Sequence, residues 1–231
     1  MTYVLADIHG RADRFHEILE RIGWSGSDTL FILGDVVDRN PDGIALLEEI
    51  LATDNMHMLL GNHEYMMLAS LADPDAQITD WCTNRGLWYL NGGAVTEKAF
   101  YALPETRQAR ILAYLKSLPL NIPLTCAGKR WLLAHGAPAS HFVPGDPDFP
   151  DETYYAVWYR FDPFRETFDP DATLICGHTP TAHFNGSFPM TVVRRKNVIC
   201  IDCGCAYPAA DGGRLACICL ETDEVVYSTI P

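Results

Sequence analysis

Carboxylates, imidazoles and an arginine recur in this chain at the ends of short apolar runs. The run Thr29-Leu30-Phe31-Ile32-Leu33 breaks at Gly34 into Asp35, Asp38 and Arg39, two acids and a base within five residues. Asp7 and His9 follow Tyr3-Val4-Leu5-Ala6; two apart, they point to one side of an extended chain and can reach one ion. Asn62, His63 and Glu64 close a third run, His135 a fourth and His178 a fifth. Oxygen and imidazole donors without thiolates suit manganese, iron or zinc better than a soft-metal site. Taken singly, Gly34–Arg39 reads equally as a solvated turn, and a lone histidine as a satisfied core residue. Ligand-type residues at five strand ends are not explained by packing.

Hydrophobic spacing shows the elements that must hold these groups. Residues 3–8, 29–34 and 56–60 read as strands, each followed by a helix. Phe15, Ile18, Leu19 and Ile22 share one face over 12–22, which Gly23 ends. Pro41 opens a second helix with Ile44, Leu47, Ile50 and Leu51 inward, and a third runs to about Leu71. Three successive strand–helix units predict a parallel, layered α/β sheet that gathers ligands at the carboxyl ends of its strands. Residues 73–100, with Pro74, Trp81, Trp88 and Gly92-Gly93 but no clear period, read as loop and short helix. Pro104 opens a helix to Ser117, and strands follow at 121–126 and 130–135. A surface loop at 138–151 near the site, a helix at 152–160 and a strand at 173–176 come next. Antiparallel strands over 190–229, turning at Asn197 and Gly212-Gly213, complete the expectation.

With 231 residues, 48% of them hydrophobic, the chain can bury a sizeable core and is expected to form one domain over 1–231. Seventeen Lys and Arg face 30 Asp and Glu, a net charge of -13 that opposes nucleic-acid binding, because phosphate contacts need clustered bases. The first residues carry no basic leader, and no apolar run approaches the ~18 residues of a membrane helix. No membrane partner and a cytoplasmic location are expected. The eight cysteines sit in apolar runs such as Ala216-Cys217-Ile218-Cys219 and read mostly as reduced core thiols.

Asp7-Ile8-His9-Gly10, Gly34-Asp35-Val36-Val37-Asp38-Arg39, Gly61-Asn62-His63-Glu64, His135-Gly136 and Gly177-His178, in this order, resemble the motifs of the calcineurin-like metallophosphoesterases. Within them the chain looks most like the serine/threonine phosphoprotein phosphatase family, especially its small bacterial members. The resemblance implies a layered αββα fold with mixed β-sheets flanked by helices, and two divalent metal ions, manganese ahead of iron or zinc. Asp7 and His9 would bind the first metal, Asp35 would bridge both, and Asn62, His135 and His178 would complete the second. A bridging carboxylate suits such a pair, since its two oxygens can hold two cations roughly 3.5–4 Å apart. A water between them, its pKa lowered, would attack phosphorus in line. Arg39 would grip phosphate oxygens with its planar fork, joined by Arg160 of Trp158-Tyr159-Arg160, which also reads as a helix-end cation. His63 would protonate the leaving alkoxide, and Asp38 would orient it.

The implied activity is a dinuclear-metal-dependent phosphomonoester hydrolase, acting on phosphoserine, phosphothreonine or phosphotyrosine in proteins, or on a small phosphoester. A symmetrical dinucleoside tetraphosphate hydrolase uses nearly the same motifs; those relatives usually carry Asp after Gly-Asn-His, so Glu64 favours the phosphomonoesterase. An inactive metal-binding scaffold would lack ligands, and all six are present. Two departures stand out. Asn40 replaces the family's Gly after the arginine, with a small strain cost if its φ is positive. Cys200-Ile201-Asp202-Cys203-Gly204-Cys205 replaces an Ile-Asp-x-Gly strand end, and its C-x-x-C spacing invites a zinc or redox reading; against this, Cys217 and Cys219 lie on another strand and no His follows closely.

Overall fold

The computed structural model describes residues 1–72 and 83–231, so Pro74 and Trp81 of the expected loop lie outside the described residues. Strands β1 (Thr2–Leu5), β2 (Thr29–Ile32) and β3 (Met56–Met58) pair in parallel in that order. Helices α1 (Ala12–Arg21), α2 (Gly43–Leu51) and α3 (Asn62–Leu71) follow them in turn. The strands stop short of their apolar runs because the backbone turns left-handed: φ is 56° at Asp7 and 92° at Gly34, angles at which a strand cannot continue. Likewise α2 begins two residues after Pro41.

The described part of the stretch without clear period holds two short helices, α4 (Asn84–Leu90) and α5 (Ala94–Tyr101), where loop and short helix are expected. Thr83 caps the first, its hydroxyl accepting the Gly86 N–H at 3.0 Å. Helix α6 (Glu105–Ser117) follows as expected, then β4 (Asn121–Cys126), β5 (Lys129–Ala134), α7 (Glu152–Trp158), β6 (Thr173–Cys176) and α8 (Ala182–Asn185). The chain continues through β7 (Val193–Arg195) and β8 (Val198–Cys200) to β9 (Ala216–Cys219) and β10 (Val225–Tyr227).

These strands form two mixed five-stranded sheets, β10-β9-β1-β2-β3 and β4-β5-β6-β8-β7. In the second, β5, β6 and β8 run parallel, with antiparallel β4 and β7 at its edges. Asn197 does turn the β7–β8 hairpin. Gly212-Gly213 is not a hairpin turn, because β8 and β9 lie in different sheets and the chain crosses between them there.

Period-two alternation sorts the side chains into layers. Val4, Leu133, Ile175, Ile199 and Ile218 meet between the sheets, whereas their neighbours Leu5, Ala134, Leu174, Val198 and Cys217 point outward. The outer face of the first sheet packs on Phe15 and Ile18 of α1, Leu47 of α2, Met67 of α3 and Trp88 of α4. On the second sheet, Phe161, Phe168 and Phe184 cover the outer face. Leu133 is completely buried in the inter-sheet layer. Leu133→Ala is therefore expected to cost about 2–5 kcal/mol through lost transfer energy and a cavity, read as a lower urea midpoint at unchanged slope. Among the described residues, no helix is long and apolar enough to cross a membrane.

Candidate metal centre

The loops leaving β1 and β2 are stitched together beyond their strands. Gly34 O accepts the Asp7 N–H at 3.2 Å, Asp35 O the His9 N–H at 2.9 Å and Val36 O the Gly10 N–H at 2.8 Å. Glu64, at the start of α3, holds the second loop from below: its carboxylate accepts the N–H groups of Asp35 (2.9 Å), Val36 (2.8 Å), Val37 (3.3 Å) and Gly61 (3.1 Å). Glu64 is fully buried and lines no part of the cavity described below, so it shapes the turn and does not read substrate.

Asp35 sits at the centre. Its Oδ1 accepts the His63 N–H at 3.0 Å and lies 3.4 Å from His135 Nε2, while Oδ2 lies 3.7 Å from His9 Nε2 and 3.8 Å from His63 Nε2. Burial alone would raise its pKa, but the surrounding imidazoles of His135, His63, His9 and His178 hold it below the usual carboxylate range. Its atoms belong to two clusters of possible donors, one with His9 and His63 and one with His135 and His178.

The tautomers point to a cation. His9 gives its Nδ1–H to Val37 O at 3.0 Å, and His135 gives its own to Leu33 O at 2.7 Å, so each Nε2 is left as a lone pair. His178 spends Nε2–H on Trp158 O at 3.2 Å, leaving the Nδ1 lone pair. The lone pairs of His135 and His178 then face Asn62 Oδ1 at 3.0 and 2.9 Å, acceptor against acceptor. A positive ion satisfies such a set with the amide as it stands, Oδ1 turned to the imidazoles. Burial lowers the pKa of His9, His135 and His178, which favours the neutral form, the one able to ligate a cation. The residues present therefore fit divalent metal ions.

Asp7 is placed differently from the other expected ligands. Both its carboxylate oxygens accept the His178 N–H at 3.1 Å, and it joins neither donor cluster. Burial, with the charges of Asp202 and Asp35, pushes its pKa well above the ordinary value. Gly177 makes this contact possible, since a Cβ there would lie 2.1 Å from Asp7 Oδ2. Gly177→Ala is expected to cost about 1–3 kcal/mol by forcing the β6 exit away from Asp7, measured by urea unfolding.

Arg39, Arg160 and His63 line a cavity of about 420 Å³ with the centre at its floor. His63 Nδ1–H donates to Asp38 Oδ2 at 2.7 Å, and Arg39 Nη2 donates to His63 Nε2 at 3.2 Å. Burial opposes charging His63, yet Asp35 and Asp38 outweigh it and raise the imidazole pKa. Arg160 lies beyond the end of α7, not on it, and its guanidinium donates to His178 O (2.7 Å) and Thr179 Oγ1 (3.0 Å). Asp202 also reaches the cavity, its pKa pushed up to about 6 by burial. Spacing gave no signal for Asp202 beyond its strand-end position.

The bend expected at Asn40 falls on its neighbours: φ is 73° at Asp38 and 71° at Arg39, and Asn40 is not among the positive-φ residues. Asn40 instead donates its Nδ2–H to His9 O at 2.9 Å, tying the two loops. Among the described residues, six of the nine non-glycine positions with positive φ are Asp7, His9, Asp35, Asp38, Arg39 and His178. Backbone strain is thus concentrated at this centre.

Two other stretches stand apart from the cavity. No residue of 138–151 lines the cavity; Phe149 packs on Tyr155 and Tyr159 instead. Cys200, Cys203 and Cys205 are free and buried in three separate apolar clusters, and among the described residues no thiol joins a possible metal group.

An αββα sandwich of two mixed sheets with this centre at its strand ends defines a class, and the chain belongs to it: residues 2–182 match the calcineurin-like phosphoesterase family. The chain is 44% identical over 70 residues to the symmetrical bis(5'-nucleosyl)-tetraphosphatase of Delftia acidovorans, a stretch covering 29% of this chain and 25% of that one. The match thus spans about a quarter of that relative's length. The protein of the same name from Neisseria gonorrhoeae is 25% identical over 96% of this chain and 93% of its own. Among solved structures, a cold-active protein tyrosine phosphatase is similar over 98% of this chain and 75% of its own (TM-score 0.60, 18% identity). A metallophosphoesterase from Sphaerobacter thermophilus is similar over 100% and 88% (TM-score 0.59, 17% identity).

Proposed function

We propose that this protein is a metal-dependent phosphoester hydrolase whose leading substrates are phosphomonoesters of serine, threonine or tyrosine side chains. The observation that carries this reading is the buried Asp38–His63 pair, 2.7 Å apart, opening onto a cavity that also holds two arginines. Two divalent cations, held by His9, Asp35, Asn62, His135 and His178 with Asp7 beside them, would supply Lewis acidity and an activated water.

The chain's own groups do the rest. Arg39 binds phosphate oxygens through its planar fork and leaves His63 Nε2 to do so. Arg160, braced by His178 O and Thr179, meets the phosphoryl group from another side of the cavity. His63, with Nδ1–H committed to Asp38, takes up a proton at Nε2 once Arg39 has turned to the phosphate, and as imidazolium delivers that proton to the departing oxygen. A serine or threonine alkoxide is a strong base that leaves slowly without such a donor, whereas a nucleotide phosphate leaves readily alone. That contrast favours the phosphomonoester.

A second reading, hydrolysis of a symmetrical dinucleoside tetraphosphate, is supported by the names of the curated relatives. Trp158, Phe161, Phe184 and Tyr207 on the cavity wall also offer rings on which a base can stack. A manganese-supplemented assay comparing phosphoserine, phosphothreonine and phosphotyrosine peptides with diadenosine tetraphosphate tests both. Phosphate release from the peptides is expected. Turnover of the dinucleotide alone would transfer the assignment to the second reading, and turnover of none would overturn both.

A further inference from the structure

Asp38 has a second side-chain donor, from a segment whose sequence carries no recognisable motif. The Trp88 indole N–H reaches Oδ2 at 2.9 Å and Oδ1 at 3.1 Å, so it straddles the carboxylate that also takes the His63 proton. The ring is completely buried, and Gly93 lies flat on it: a Cβ there would stand 2.5 Å from Cδ1 and Nε1. The same corner between α4 and α5 returns to the loop it serves. Gly92 O accepts the Arg39 N–H at 3.2 Å, and Thr96 Oγ1 accepts the Asp38 N–H at 2.9 Å.

We propose that Trp88 is a positioning residue for the proton donor: its indole N–H fixes the plane of the Asp38 carboxylate, and so the aim of His63. The inference rests on the reading of His63 as the donor. The terminal torsion of an aspartate is soft, and a carboxylate held by one hydrogen bond can rotate about it. A second donor spanning both oxygens removes that rotation and keeps Oδ2 on His63 Nδ1. The imidazole then points Nε2 into the cavity in a single orientation. A buried indole N–H needs an acceptor, and the one it takes here is the carboxylate that also holds His63.

Trp88→Phe keeps most of the ring and removes the N–H. With manganese present, kcat on a phosphoserine peptide is expected to fall about tenfold, the range of one buried hydrogen bond, while KM and turnover of p-nitrophenyl phosphate stay within about twofold. In the metal-free protein, the downfield proton resonance of His63 Nδ1–H, assigned by its absence in His63→Asn, is expected to move upfield. Equal losses on both esters, or an unmoved resonance, would overturn the proposal. Should Trp88→Phe fail to fold by circular dichroism, benzothienylalanine at position 88, which has the shape of indole but no donor, gives the same readings. The His63→Asn control separates the two levels. Equal losses there on both esters sink the donor reading itself; an alkyl-selective loss there without one in the position-88 variant sinks only this inference. If neither ester is turned over, the resonance decides.

Discussion

Asp35→Asn is expected to lower turnover by about 10³-fold or more and to reduce the bound manganese measured by elemental analysis. Asparagine keeps the shape of the residue and an oxygen for the His63 N–H, so the change isolates charge. Asp35 is the only residue shared by the two donor clusters, with His9 and His63 on one side and His135 and His178 on the other. Neutralising it leaves neutral imidazoles facing any pair of cations, whose mutual repulsion then goes unrelieved. Several kcal/mol of transition-state stabilisation are lost with it, and each 1.36 kcal/mol is about a factor of ten. Full metal content with near-native kcat would remove Asp35 from the bridging role.

His63→Asn is expected to depress kcat by about 10²–10⁴-fold on phosphoserine peptides and far less on p-nitrophenyl phosphate. The reasoning lies in the leaving group. An alkoxide must be protonated as it departs, whereas a nitrophenolate leaves as a stable anion. His63 is suited to supply that proton because Asp35 and Asp38 raise its pKa despite burial. Equal losses on the two esters would show that His63 acts by another means. Since Asn cannot hold the Asp38 contact as imidazole does, a melting curve recorded alongside separates chemistry from folding.

Much of this arrangement was legible in the chain. Strands β1 to β3 and helices α1 and α6 follow directly from hydrophobic spacing, because each buries a simple aliphatic face. Asp35, Asn62, His63, His135 and His178 were legible as a set because strand ends in a parallel sheet converge. The α4–α5 corner was not, since its inward residues Trp88, Thr96 and Glu97 carry polar groups and break any apolar stripe. The anchoring role of Glu64 was illegible for a related reason: nothing local reveals that four backbone N–H groups converge on its carboxylate. The Asn40 expectation placed the bend one or two residues late, because the contacts that stabilise left-handed Asp38 and Arg39 come from Thr96 and Gly92, more than fifty residues away.

The left-handed backbone at Asp7, His9, Asp35, Asp38, Arg39 and His178 sets stability and activity at cross-purposes. Glycine would relieve about 1–2 kcal/mol at each such position, and each glycine would erase a side chain on which the proposed chemistry depends. A screen that rewards heat resistance alone would therefore drift toward a sturdier, silent protein. The same relief is open at Ala127 and Lys196, left-handed residues in the β4–β5 and β7–β8 turns that do not touch the cavity. Engineering for robustness belongs in those hairpins, and the strand ends are best left as they are.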